Sequence, residues 1–316
     1  MKHRETVLST VLAVVCLATP ALGQPASAGR APDGSPAPRT SWGTPDLTGV
    51  WDHGTATPLE RPERYEGREF LTAEEIAEAN VNATTFATSE RRGELSAERD
   101  VGLAYNQFWW DRGVSDGRTA LIIDPPDGKI PYMDGVDRGG RRQRGYDGPE
   151  SRGLWERCMT RGAVRLGGVY NNNFQLFQTE NYVAILLEMV HEIRIIPLDG
   201  SSQTDHSPSQ WLGSSHGHWE GDTLVVETTD FSGQSPWRGS GDNLHLIERF
   251  SRPDADTLRY EVTFEDPTTW TGDWTAALDM PKTDGLMYEY ACHERNYGME
   301  NLLKGARALE REAGAQ

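Results

Sequence analysis

Trp211 to Thr229 reads WLGSSHGHWEGDTLVVETT, two halves joined by Glu220-Gly221-Asp222. The run Thr223 to Thr229 is rich in β-branched side chains, and Gly with Asp between two such halves marks a tight reversal. The stretch therefore predicts a hairpin of Trp211–Trp219 with Thr223–Thr229. The same grammar repeats on both sides of it. Phe174–Gln178 meets Tyr182–Met189 across Thr179-Glu180-Asn181, and Ile193–Leu198 ends at Asp199-Gly200. Leu244–Ser251 meets Thr257–Phe264 across the turn at 252–256, while Arg118–Asp124 runs into Pro125-Pro126-Asp127-Gly128. Thr275–Met280 and Met287–Cys292 complete the set. Strands alternating with turns, and not with helices, argue against a parallel sheet. They predict a mainly β chain, an antiparallel β-barrel or sandwich (lipocalin-like) with a helical N-terminal arm and a short C-terminal helix.

The composition fits. Of 316 residues, 36% are hydrophobic and 25% charged, and 33 Gly with 18 Pro leave many turns for so short a chain. A formal charge of −17 lacks the basic face that nucleic acid requires and disfavours anionic membranes.

Lys2, His3 and Arg4, the apolar run Val7 to Ala18 and the small residues of Ala21-Leu22-Gly23 read as a secretory signal peptide over 1–23. Its apolar part is too short for a membrane helix, so no membrane association is expected after cleavage. Residues 24–41 form a flexible Ala/Pro/Ser/Gly leader, 42–115 an N-terminal arm with short helices, 116–298 the β domain and 299–316 a C-terminal helix and tail. In the arm, Leu47–Trp51 reads as a strand, Thr72 with Glu75 as a capping box, and 96–110 as a second helical piece. A periplasmic or secreted location makes Cys158 and Cys292 a candidate disulfide closing a loop of roughly 130 residues, against two separate buried thiols.

Pro45-Asp46-Leu47-Thr48-Gly49-Val50-Trp51 resembles the opening of a broad group of secreted bacterial proteins, and Gly217 to Val226 and Glu265 to Trp270 are similar to the same group. That resemblance spans nearly the whole mature chain but carries no catalytic assignment. Gly49-Val50-Trp51 also resembles the first strand of lipocalin-like barrels, which implies a ligand-holding cup.

Tyr182 to Leu187 is an unbroken apolar run, expected to be buried on both faces, and it ends in Glu188. If Val190-His191-Glu192 is a three-residue loop, Glu188 and Arg194 stand opposite each other. A buried carboxylate is paired, or its pKa rises toward acid–base use, and His191 titrates near neutral pH. On the last expected strand Glu289 and His293 share a face, beside Tyr288 and Asn296. Asn171-Asn172-Asn173 offers amides to a polar ligand, and Trp109-Trp110 a stacking surface, although turn and core roles suit them as well. His216 and His218 share a strand face about 7 Å apart; a metal there would need a third ligand such as His245, so no cofactor or metal is expected. No Gly-rich phosphate loop is present in the sequence.

Two functional expectations follow. In one, a metal-independent acid–base enzyme of lyase, isomerase or hydrolase type uses Glu188 or His191 as base, His293 as acid or its partner, and Arg194 as anion stabiliser, with Glu289 a further candidate catalytic residue. In the other, a lipocalin-like carrier holds an apolar or aromatic small molecule. Either way the partner is a small organic ligand, and the oligomeric state is open.

Overall fold

A computed structural model describes residues 36–85, 112–138, 146–148, 151–168, 170–198, 208–233, 237–294 and 296–314. The expected signal peptide, Trp109-Trp110 and the 96–110 helix lie outside them. The strands are β1 (Gly49–Asp52), β2 (Ile122–Asp124), β3 (Asn173–Gln178), β4 (Tyr182–Leu187), β5 (Ile193–Pro197), β6 (Ser214–Glu220), β7 (Thr223–Thr229), β8 (His245–Ser251), β9 (Thr257–Glu265) and β10 (Trp274–Thr283). Helix α1 (Ala73–Thr85) precedes β2, and α2 (Tyr297–Gly314) closes the chain. The capping box forms as expected: Thr72 N–H donates to Glu75 Oε2 (2.8 Å) and Glu75 N–H to Thr72 Oγ1 (3.3 Å). No helix among the described residues is long and apolar enough to cross a membrane.

The strands form one antiparallel sheet in the order β5-β4-β3-β1-β10-β9-β8-β7-β6, with β2 adding to β10. Strand β1, far upstream in sequence, joins the two meanders by pairing with both β3 and β10. The hairpin that decides the fold pairs Glu220 with Thr223 across Gly221-Asp222. This loop is one residue tighter than expected, because Gly221 takes φ +61 and lets the chain reverse in two residues.

The sheet folds over on itself as a sandwich, and the barrel alternative is corrected. Its end strands β5 and β6 approach without ladder pairing. Gly217 permits the approach, since a Cβ there would stand 2.7 Å from Leu198 Cδ2 and 3.0 Å from Ile196 Cγ2. Inward positions alternate along each strand, as in Leu258, Tyr260, Val262 and Phe264 of β9. Strand β4 alternates too: Val183, Ile185 and Leu187 are buried, but Tyr182 is exposed. Burial on both faces is thus overturned, because no described layer covers the outer face of β4.

Three further expectations change. Met287–Cys292 is irregular chain after β10, so Glu289 and His293 share no strand face. The Arg118–Asp124 strand shrinks to β2. Arg194 pairs with Ile185, not Glu188, because the β4–β5 connection runs from Glu188 to Glu192 through a 3-10 turn at Met189–His191. The disulfide between Cys158 and Cys292 is formed, with Cα atoms 5.5 Å apart.

Between the two halves, Arg194 of β5 crosses to β8. Its guanidinium donates to both Glu248 oxygens (3.1 and 2.6 Å) and to Ser215 and Thr228 hydroxyls (3.0 and 3.1 Å). Tyr260 O–H donates to Glu248 Oε1 at 2.9 Å. Burial alone would lower the Arg194 pKa, but the Glu248 carboxylate reverses this and raises it. The interior is filled around this clasp. The void beside it is only about 20 Å³, room for a water and not for a guest.

Candidate functional site

The larger cavity, about 260 Å³, lies at the end of the sandwich where β1 and β4 finish and β3 and β8 begin. Its walls come from five places in sequence: His53 after β1, Leu59 a little further on, residues of the segment 161–172 before β3, Met189 after β4, and Trp237-Arg238 before β8.

Each side chain is held by a local device. His53 follows β1, its N–H donates to the Asn172 carbonyl (2.9 Å), and its ring lies 6.5 Å from Phe174 at 22°. His53 is 4% exposed, and its Nδ1 has no hydrogen-bond partner. Burial first, and then the positive charge of Arg165 and Arg161, push its pKa down to about 3, so the imidazole is neutral at physiological pH.

Gly168 admits no side chain, because a Cβ would stand 2.0 Å from Asn172 Oδ1. The chain can therefore double back so that Arg165 and Asn172 line one hollow. Arg165 Nη1 donates to the carbonyls of Arg161 and Val164 (both 3.1 Å), while its Nη2 is sealed from solvent and unpartnered. Burial and the neighbouring Arg161 lower its pKa to about 10, which leaves it charged. Arg161 lies over the Trp155 ring at 4.4 Å, and Arg238 over Trp237 at 5.6 Å. Trp237 is fixed by stacking on Phe264, 4.4 Å between centroids. Asn171 and Arg238 both adopt φ +51, a conformation Asn tolerates and Arg rarely takes.

A covalent clamp supports the rim. The disulfide ties the segment after β10 to residue 158, Tyr290 stacks on Tyr170 (6.5 Å), and Asn296 Nδ2 donates to the Glu156 carbonyl (3.0 Å).

The expected site residues are scattered about this cavity. Asn171 lines it. Glu188 is buried but accepts from Asn173 N–H (3.1 Å) and Asn173 Nδ2 (2.9 Å), so this pair fixes the start of β3. Arg194 belongs to the interior clasp. His191, Glu289, His293 and Tyr288 are exposed, and Asn296 serves the clamp. His218 contacts Glu220 (3.3 Å), and His245 contacts Glu265 (2.8 Å) and Glu227 (3.5 Å). With His216 they form no group of three or more metal-capable side chains, and no such group occurs among the described residues.

Sequence reading passed over His53, Arg161, Arg165, Tyr170 and Arg238. The signal was present in outline: two arginines four apart beside Gly162, then Gly167-Gly168 just before a strand. Glycines there allow close backbone approach to something else. The chain matches no family model, no curated protein and no solved structure.

Proposed function

We propose that this chain is a binding protein for a small polar organic molecule held in the 260 Å³ cavity, acting outside the cytoplasm. The observation that carries this reading is a concave site walled by His53, Asn171, Trp237 and three arginines, against a void of only about 20 Å³ beside the Arg194–Glu248 clasp. Rigid aromatic and amide groups there suit recognition. The acid–base residues expected from sequence do not converge: Glu188 is tied to Asn173, and Glu289 and His293 face solvent. Binding therefore takes precedence over lyase, isomerase or hydrolase chemistry. The polar lining likewise sets this site apart from the apolar cup of a lipocalin-like carrier. Export rests on the basic-then-apolar opening of the chain and is supported by the disulfide, which persists in oxidising compartments.

The test is a thermal-shift and calorimetric screen of small polar organic molecules against the full mature chain. At least one is expected to stabilise the wild type, and Leu59→Trp, which drives an indole into the cavity, is expected to remove that shift. A screen with no stabilising compound, or with shifts unchanged in Leu59→Trp, would reject the reading.

A further inference from the structure

Arg161, Arg165 and Arg238 line one cavity in a chain whose formal charge is −17. No carboxylate is among the described residues lining it. The nearest compensation is Glu192, which pulls on Arg165 electrostatically but gives one carboxylate oxygen to the Thr160 hydroxyl (2.5 Å). Positive charge is therefore concentrated where the surrounding protein is negative. At Arg165 and Arg161 it is also partly desolvated, which makes it costly without a counter-charge, while Arg238 stands exposed at the rim.

Arg194, in the neighbouring interior, shows what a charge-paired guanidinium looks like here: both terminal nitrogens meet Glu248, and only Nε is without a partner. Arg165 reaches only backbone carbonyls through Nη1, and its Nη2 meets nothing. His53 beside it also keeps an unpartnered nitrogen. Arg238 is held at φ +51 at the same rim, and strained non-glycine backbone of this kind concentrates at ligand sites.

We propose that the cavity binds a small organic carboxylate, seated against the guanidiniums of Arg161, Arg165 and Arg238. This rests on the reading of the cavity as a ligand site and names the class of ligand. A planar carboxylate matches the fork of a guanidinium in a way a neutral solute does not. The neutral His53 adds either a donor to the carboxylate or an acceptor to a hydroxyl, according to its tautomer. The volume, roughly nine liquid-water shares, limits the ligand to metabolite size. The fixed Trp237 ring favours a flat or unsaturated body beside the anion.

The experiment titrates the full mature chain with acids and their neutral amides, namely acetate with acetamide, lactate with lactamide and benzoate with benzamide, and with inorganic phosphate. At least one acid is expected to bind more tightly than its amide by roughly ten- to a hundredfold. Arg165→Gln is expected to collapse that preference, and Arg165→Lys to restore part of it. Because Arg165 is deeply placed, Arg161→Gln and Arg238→Gln serve as milder variants, and each is expected to reduce acid binding by a larger factor than amide binding; equal losses would count against the proposal. Equal binding of acids and amides would overturn the carboxylate proposal and leave the ligand-site reading standing. Binding of phosphate alone would also overturn it. Binding of neither series would overturn both.

Discussion

Two arginines separated by twenty-nine positions sit close to each other inside this sandwich and are treated in opposite ways. Around Arg194 both terminal nitrogens are answered, and only Nε is not: Glu248 takes two bonds, Ser215 and Thr228 take others, and Tyr260 completes the carboxylate. Around Arg165 the protein supplies two carbonyls, further arginines and the unbonded pull of Glu192. The first arrangement holds two halves of a sheet together. The second leaves attraction over for something that is not protein. Burial by itself does not distinguish the two arginines, and each keeps one unpartnered nitrogen; a directly bonded counter-charge does distinguish them.

The largest expected effect comes from making the answered region resemble the unanswered one. Glu248→Gln removes the counter-charge of Arg194 and is expected to cost about 3–5 kcal/mol of unfolding free energy, measured by urea denaturation. A loss below about 1 kcal/mol would mean that the clasp is not what joins β5 to β8, and the contrast would fail.

The clasp also marks the limit of what the sequence discloses. Thr223–Thr229 is legible because β-branched side chains and a Gly-Asp reversal act locally, and observed and expected bounds coincide. The Thr72–Glu75 box and the cysteine pair are legible for the same kind of reason, each being a local or chemically unique signal. Arg194 was given to Glu188 because the loop between them was counted as three residues; the actual five-residue connection shifts the register and presents Arg194 to β8. The cavity was illegible on different grounds. His53, Arg165 and Arg238 belong to three distant segments, and only the insertion of β1 between β3 and β10 brings their ends together. Met287–Cys292 looked like a strand from its composition, yet its path is set by the disulfide and the Tyr170–Tyr290 contact.

A second measurement sharpens the contrast through protons. His53 is lowered to about 3 in the folded chain against 6.5 unfolded. Between these values the unfolded chain takes up a proton that the folded chain refuses, so the stability contributed is present above about pH 6.5 and is lost as pH falls toward 3. The loss is about 1.4 kcal/mol per pH unit across that window, over and above the titration of carboxylates. Denaturation at pH 7, 5.5 and 4.5 is expected to show a shallower fall for His53→Asn. Parallel curves would mean that His53 is not held neutral.

The smallest effect has the opposite sign. Arg238→Gly relieves the left-handed backbone at φ +51 and is expected to raise unfolding free energy by about 1 kcal/mol while weakening carboxylate binding. A variant both less stable and fully able to bind would place Arg238 outside the site.

The link between Cys158 and Cys292 encloses β3 through β10, a separation of 134 positions. A single backbone cut anywhere inside that span opens the polypeptide without detaching a piece, since sulfur still connects the two products and the ladders keep them aligned. The molecule is thereby built to survive being nicked.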